Sequence, residues 1–276
     1  MRVERIIDSV RVEKTITAES VALLRKNPAK YSALVGGLYL LSTQGLELGQ
    51  LGRASYFFAR HVDNILDGDR QVREDPLSYA VNLRNQIAER KFDPKDPIAH
   101  LAEYSLGVFD RIKRPEDNPQ QDILDLIDVM IFDHERAKDR RALSADDLEE
   151  YYYRTVYPGT NLMLTGFRSQ LRAGDIPQFS TELGRIYSAR DLDEDWTEGF
   201  INIPKEILDL AGLTPASSLE EVRGNSTIDT WFDDELTRSK DILKDLRSAP
   251  QVACDTRTKI AIRGFINRAI DYNKRK

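Results

Sequence analysis

Apolar residues recur at three- and four-residue steps along most of the chain, which predicts amphipathic helices. Between Ser55 and Asp67 the stripe is Tyr56, Ala59, Val62, Ile65 and Leu66; between Asp122 and Phe132 it is Ile123, Leu126, Ile127, Met130 and Ile131. Ser144 opens a further helix as its N-cap, with Asp146 and Asp147 in the first turn, where negative charge is favoured. Helices are also predicted over Thr181–Trp196, Ile228–Leu246 and Thr256–Tyr272. Alternating runs are short and hairpin signals nearly absent, so few strands are expected. The single Asp-Gly, Asp67-Gly68, reads as a helix end. Pro-rich and Gly-rich breaks fall at Phe92–Pro97, Arg114–Pro119, Gly174–Pro177 and Thr214–Ser218. None is long or polar enough for an interdomain linker. The expected organisation is one all-α domain over residues 1–276, with about ten helices.

The most apolar stretch, Tyr31 to Leu46, is interrupted by Gly36, Gly37, Ser42, Thr43 and Gln44. It is shorter than the roughly 20 apolar residues of a spanning helix and reads as a buried helix. The N-terminal Met1-Arg-Val-Glu-Arg-Ile-Ile lacks the apolar core of a signal peptide. The compartment expected is cytoplasmic, with peripheral membrane contact left open.

Composition narrows the classes. Hydrophobic residues are 41% and charged residues 31% of 276, a globular balance rather than a disordered one. A net charge of −6 argues against a nucleic-acid partner. The lone Cys254 excludes an intramolecular disulfide and a cysteine-rich zinc site, and His61, His100 and His134 form no local metal motif. No Gly-rich phosphate loop is present. Lys274-Arg-Lys276 reads as a short solvated basic tail, with anionic-lipid contact as the alternative.

Chemistry concentrates in two acidic pairs. Asp63 and Asp67 stand four apart, so on a helix both carboxylates leave one face; Arg60 shares that face. Asp191 and Asp195 repeat the spacing after Arg190. Charges beside an apolar stripe need compensation, because burying a lone carboxylate is costly. Mg²⁺ supplies it, held by one or two carboxylates plus substrate phosphate oxygens. With 46 acidic residues, one such pair is common by chance; two with adjacent arginines and apolar flanks are less so. Two facing helices carrying these pairs would hold several Mg²⁺ ions around one diphosphate. Asp193 and Glu194 read as solvated surface residues. His61 points away from Asp63 on a helix and reads either as a residue supporting the site from behind or as a structural one.

In this arrangement the sequence resembles the squalene/phytoene synthase family of head-to-head prenyltransferases. Tyr56, Ala59, Arg60, Asp63 and Asp67 follow its first motif. Arg190, Asp191, Asp195, Gly199, Ile203, Pro204, Leu208 and Gly212 follow its second. Leu126–Asp133 and Leu148-Glu-Glu-Tyr151-Tyr-Tyr153 resemble the helices between. The chain departs from the family at Asn64, where a second acidic residue is common, and at Tyr187, where an Asn is usual. No basic residue stands in Thr197–Pro204, and Tyr157-Pro-Gly-Thr-Asn161 replaces a glycine-rich flap.

The resemblance implies an isoprenoid (terpenoid) synthase fold, with helices around a central apolar cavity. It implies Asp63, Asp67, Asp191 and Asp195 as catalytic Mg²⁺ ligands and Arg60 and Arg190 as diphosphate contacts. Tyr151 would line the site near the departing diphosphate. The implied substrate is a prenyl diphosphate, ionised to an allylic carbocation that condenses with a second prenyl diphosphate. Phe57, Phe58, Tyr157, Met163 and Phe167 are candidates for an aromatic and apolar lining, with ordinary core packing as the alternative for each. A single-substrate class I terpene synthase on the same fold and a non-catalytic, assembly-type relative are the competing readings. Doubling of the carbon skeleton separates the first from condensation.

Overall fold

The computed structural model describes residues 2–253 and 255–272; Cys254 and the basic tail Lys274–Lys276 lie outside them. The described residues form thirteen α-helices and no strand. Backbone contacts divide them into two compact units. One comprises residues 1–131 with 165–168, the other 132–164 with 169–276.

The first unit contains α1 (Arg2–Lys26), α2 (Pro28–Leu40), α3 (Leu46–Leu66), α4 (Pro76–Glu89), α5 (Pro97–Ile112) and the start of α6 (Pro119–Lys138). Helix α3 is its spine. Leu51, Ala54, Phe58, Val62 and Ile65 step along one face by three and four and are buried. They pack along α5, which buries Leu101, Ala102, Leu106 and Phe109. Tyr56 and Ala59, expected on the core stripe, instead lie half-buried beside it. That places them on the same flank as Arg60 and Asp63. Asp67 caps α3 and Gly68 turns away at φ +77°, a left-handed conformation suited to glycine.

The Tyr31–Leu46 stretch is not one buried helix. Helix α2 stops at Leu40, a 3₁₀ turn covers Leu41–Gln44, and Gly45 adopts φ +134°. Leu40 and Leu46 are exposed. The polar Ser42-Thr-Gln run and the unusual glycine end the helical pattern before it becomes a long apolar rod. Among the described residues no helix is long and apolar enough to cross a membrane.

The second unit continues α6 and adds α7 (Ala145–Gly166), α8 (Pro177–Arg190), α9 (Leu192–Glu198), α10 (Lys205–Ala211), α11 (Leu219–Arg223), α12 (Ser226–Ser248) and α13 (Thr256–Ile270). Ser144 caps α7 as expected, its Oγ accepting from the Asp147 N–H at 3.2 Å. Phe179, Leu183 and Ile186 of α8, Leu236 and Leu243 of α12, and Ile262 and Ile266 of α13 form one buried cluster. A second gathers Trp196, Ile201, Ile203, Leu208, Val222, Ile228 and Phe232. A charge network, buried at Arg185 and Glu182 and exposed at Glu149, ties α8 to α12 and α7. Arg185 pairs with Glu182, Glu235 and Glu149, while Ser239 Oγ donates to Glu182 at 2.6 Å.

Helices α7 and α8 touch through a glycine. A Cβ on Gly184 would lie 2.5 Å from the Tyr152 carbonyl oxygen, closer than packed atoms tolerate. Around Gly36, on an exposed face of α2, nothing lies within 4 Å. The two glycines therefore respond oppositely to alanine. Gly184→Ala lowers the thermal midpoint, at a cost of about 1–3 kcal/mol for overpacking. Gly36→Ala leaves it unchanged or raises it, by up to about 1 kcal/mol of helix propensity. Thermal unfolding followed by circular dichroism checks both signs.

Two arginine–carboxylate motifs as the candidate active site

The first motif lies on the half-buried flank of α3. Arg60 Nη1 pairs with Asp63 Oδ2 one turn on, and Arg60 Nη2 donates to the Tyr31 hydroxyl at 3.2 Å. Burial raises the Asp63 pKa, and Asp69 adds to the rise; Arg60 and Lys26 partly oppose it. Burial also pushes the neighbouring Tyr56 phenol up to about 12. Asp67, at the helix end, is exposed but lies within electrostatic reach of Arg60. Asn64 Oδ1, next in sequence to Asp63, is buried with no hydrogen-bond partner.

His61 turns to the opposite side of α3. Its Nδ1 lies 3.2 Å from Glu19, which also pairs with Arg70 at 2.6 Å. Burial would raise the Glu19 pKa, but His61 and Arg70 hold it below the usual value. The histidine is thus tied to Glu19 of α1 rather than to Asp63.

The second motif departs from the expected single helix over Thr181–Trp196. Helix α8 ends at Arg190, and Asp191 (φ −97°, ψ 11°) both closes it and opens α9. The Asp191 N–H still donates to the Tyr187 carbonyl at 3.0 Å, and the Asp195 N–H donates to the Asp191 carbonyl at 2.8 Å. The break therefore keeps the four-residue relation between the two aspartates. Arg190 pairs with both Asp191 oxygens, with its guanidinium 4.8 Å from the Tyr187 ring centroid. Position 187, where an Asn is usual in the family that the sequence resembles, thus carries a ring that seats the arginine. Asp193 turns outward to Arg223, as a solvated residue should.

Asp195 turns toward three residues that the sequence reading left without a role: Asp133, Arg136 and Asn202. Helix α9 ends at Gly199, whose φ of +97° favours glycine and whose Cβ would lie 2.3 Å from the Ala137 carbonyl oxygen. That close approach lays Ile201 and Asn202 against the end of α6. There Arg136, with no exposed surface, donates through Nη1 to the Ile201 carbonyl at 3.3 Å. Its Nη2 donates to Asn202 Oδ1 at 3.0 Å and Asp133 Oδ1 at 3.1 Å. Asn202 Nδ2 in turn donates to Asp195 Oδ2 at 2.7 Å. The segment that lacks a basic residue of its own is served by this one from α6.

Tyr151 belongs to the same cluster. Its hydroxyl donates to Asp133 Oδ2 at 3.0 Å, and Arg136 lies 4.3 Å from its ring centroid. Burial, then the Asp133 charge, raise its pKa well above the ordinary value. Tyr152 is turned to the same place, its hydroxyl 3.4 Å from the Asn202 carbonyl, while Tyr153 packs on Tyr157. Asp195 bears the electrostatic consequence. Burial first, then the negative charge of Asp191 and, after the opposing Asn202 bond, of Asp133, push its carboxyl up to about 8.

Among the described residues no three His, Cys, Asp or Glu side chains form a ready-made cation cage. A divalent ion held by carboxylate pairs takes its remaining ligands from substrate phosphate and water. The donors present are of the right kind: hard carboxylate oxygens, one of them with its negative charge opposed by its surroundings. Of the lining candidates, Phe57 and Phe58 are core residues of the first unit and Met163 packs on the α8–α12–α13 cluster.

The Squalene/phytoene synthase family profile matches residues 53–275, which include both aspartate pairs. Squalene synthase HpnC from Alicyclobacillus acidocaldarius shares the fold, with a TM-score of 0.65 and 18% sequence identity over 95% of this chain and 92% of that one. No curated protein sequence matches significantly. On the extent of the family match, the chain belongs to the squalene/phytoene synthase family.

Proposed function

We propose that this chain is a Mg²⁺-dependent prenyltransferase that joins two prenyl diphosphates head to head. Family membership supports the general class. The observation that supports the metal dependence is Asp195, a half-buried carboxyl in the field of Asp191 and Asp133, held by Asn202, which keeps a proton that a bound cation would displace. Asp63 and Asp67 with Asp191 and Asp195 are the proposed ligands. Bound there, Mg²⁺ would neutralise the diphosphate as the allylic C–O bond breaks and its electron pair departs with oxygen.

The chain's own residues do the remaining work. Arg60 and Arg190 are each already paired with a neighbouring carboxylate. They are therefore oriented before substrate arrives and can turn donors to its phosphate oxygens. Tyr151 is held as a neutral phenol by burial and by Asp133, so it offers a hydroxyl and a ring face rather than a nucleophilic phenolate. Aromatic faces stabilise a carbocation without trapping it. The π electrons of the second prenyl diphosphate's alkene would then form the new carbon–carbon bond, and loss of a proton from the resulting cation would close it to a cyclopropylcarbinyl diphosphate.

Asp63→Ala and Asp191→Ala are each expected to lower Mg²⁺-dependent diphosphate release from a prenyl diphosphate by at least about 100-fold, with unchanged far-ultraviolet circular dichroism. Full activity in both variants would remove the metal assignment. Mass spectrometry of the organic product should show twice the carbon count of the substrate; an unchanged count would indicate a single-substrate synthase.

The raised Asp195 pKa has a stability consequence in the absence of metal. The folded state holds this proton up to about pH 8, whereas the unfolded chain releases it near 4. The stabilisation from protonation is therefore full below pH 4 and lost as pH rises through 8. The thermal midpoint of the wild type relative to Asp195→Asn should fall between pH 5 and 8 and then level off. A difference independent of pH would show that Asp195 titrates normally.

A further inference from the structure

Arg136 is the most deeply buried charge of the second unit, and it touches none of the four motif aspartates. Its relative exposure is 0%, its guanidinium packs between Phe132 and Tyr151, and its Nε has no hydrogen-bond partner. Keeping a cation there is costly unless its contacts do something that an apolar residue could not. One of those contacts decides the orientation of another side chain. Arginine has donors only, so the Asn202 group facing it must be the carbonyl oxygen. The carboxamide is planar, so fixing Oδ1 on Arg136 aims Nδ2 at Asp195, where it donates at 2.7 Å. Turned over, the amide would set its NH₂ against a guanidinium and its oxygen against a carboxylate.

We propose that Arg136 and Asn202 are positioning residues for the second aspartate motif: Arg136 fixes the polarity of the Asn202 carboxamide, and Asn202 thereby holds Asp195 by Oδ2 and leaves Oδ1 free to ligate. The inference rests on the metal-dependent reading above. The same guanidinium nitrogen donates to Asp133, which accepts the Tyr151 hydroxyl. One buried cation thus sets both the carboxylate and the tyrosine of this unit. Gly199 supports the arrangement: its left-handed turn passes so close to the Ala137 carbonyl that a side chain would clash, just before residues 201 and 202 meet the end of α6. Residues that orient metal ligands in this way typically change metal affinity by about 10–100-fold when removed.

The test is a double-mutant cycle read by metal binding rather than turnover. Mn²⁺ is titrated into the full chain with inorganic diphosphate present, and free Mn²⁺ is counted by electron paramagnetic resonance. Asn202→Ala should weaken binding about tenfold. Arg136→Lys keeps the charge but loses the two-nitrogen donation, and should weaken it several-fold. In the Asn202→Ala background the lysine substitution should add less than about twofold, because its path to Asp195 is already cut. Additive effects, or an Asn202→Ala protein that binds Mn²⁺ like the wild type, would overturn the proposal. The single Asn202→Ala comparison decides it even if the Arg136 variant fails to fold. A wild-type protein that binds no Mn²⁺ would overturn both this proposal and the metal-dependent function. Normal wild-type binding with an insensitive Asn202 would overturn this one alone.

Discussion

A carboxylate withdrawn from bulk water has to be answered by positive charge, and that constraint organises both units of this protein. Asp63 is answered by Arg60, Asp191 by Arg190, and Asp133 by Arg136. Glu182, away from either motif, is answered by Arg185. Asp195 alone in the second motif has no arginine of its own; it is held by an amide, and its pKa rises accordingly. For Glu182 and Arg185, both deeply buried, removing one partner leaves the other uncompensated, at a cost of roughly 3–5 kcal/mol. Arg190–Asp191, more than a third exposed on both sides, is closer to an ordinary surface salt bridge, whose loss costs little.

Much of the architecture was legible from periodicity. The helices around Asp122–Phe132, Ile228–Leu246 and Thr256–Tyr272 are all present, with ends shifted by a few residues. Each has a long stripe and clear capping residues, so local and tertiary preferences agree. Prediction failed where they compete. Tyr31–Leu46 is apolar enough for a helix throughout, but its glycines and hydroxyl residues end it at Leu40. Thr181–Trp196 has helical spacing throughout, yet one residue, Asp191, leaves the α-helical conformation. A single backbone departure that preserves its hydrogen bonds leaves little trace in hydrophobic patterning.

The candidate site divides in the same way. The two aspartate pairs and their arginines could be read from i, i+3 and i, i+4 spacing, because each lies within one or two turns of continuous chain. Asp133, Arg136 and Asn202 could not, since Arg136 meets Asn202 across 66 positions of sequence. The available signals were indirect: Arg136 three residues after Asp133, and a glycine placed to allow a close turn before Ile201. A missing basic residue in Thr197–Pro204 looked like a gap in the site, but the charge arrives there from α6. Composition counts residue types along the chain, whereas a binding site depends on which ones fold onto each other.

The most direct test of the account is a crystal structure of the chain with Mn²⁺ and a non-ionisable thio-analogue of a prenyl diphosphate, with the ions located by anomalous scattering. The account predicts at least one metal ion ligated both by diphosphate oxygens and by a carboxylate oxygen of Asp191 or Asp195, with Asp195 Oδ2 still held by Asn202. Diphosphate bound with no ion on either aspartate of this motif would contradict it.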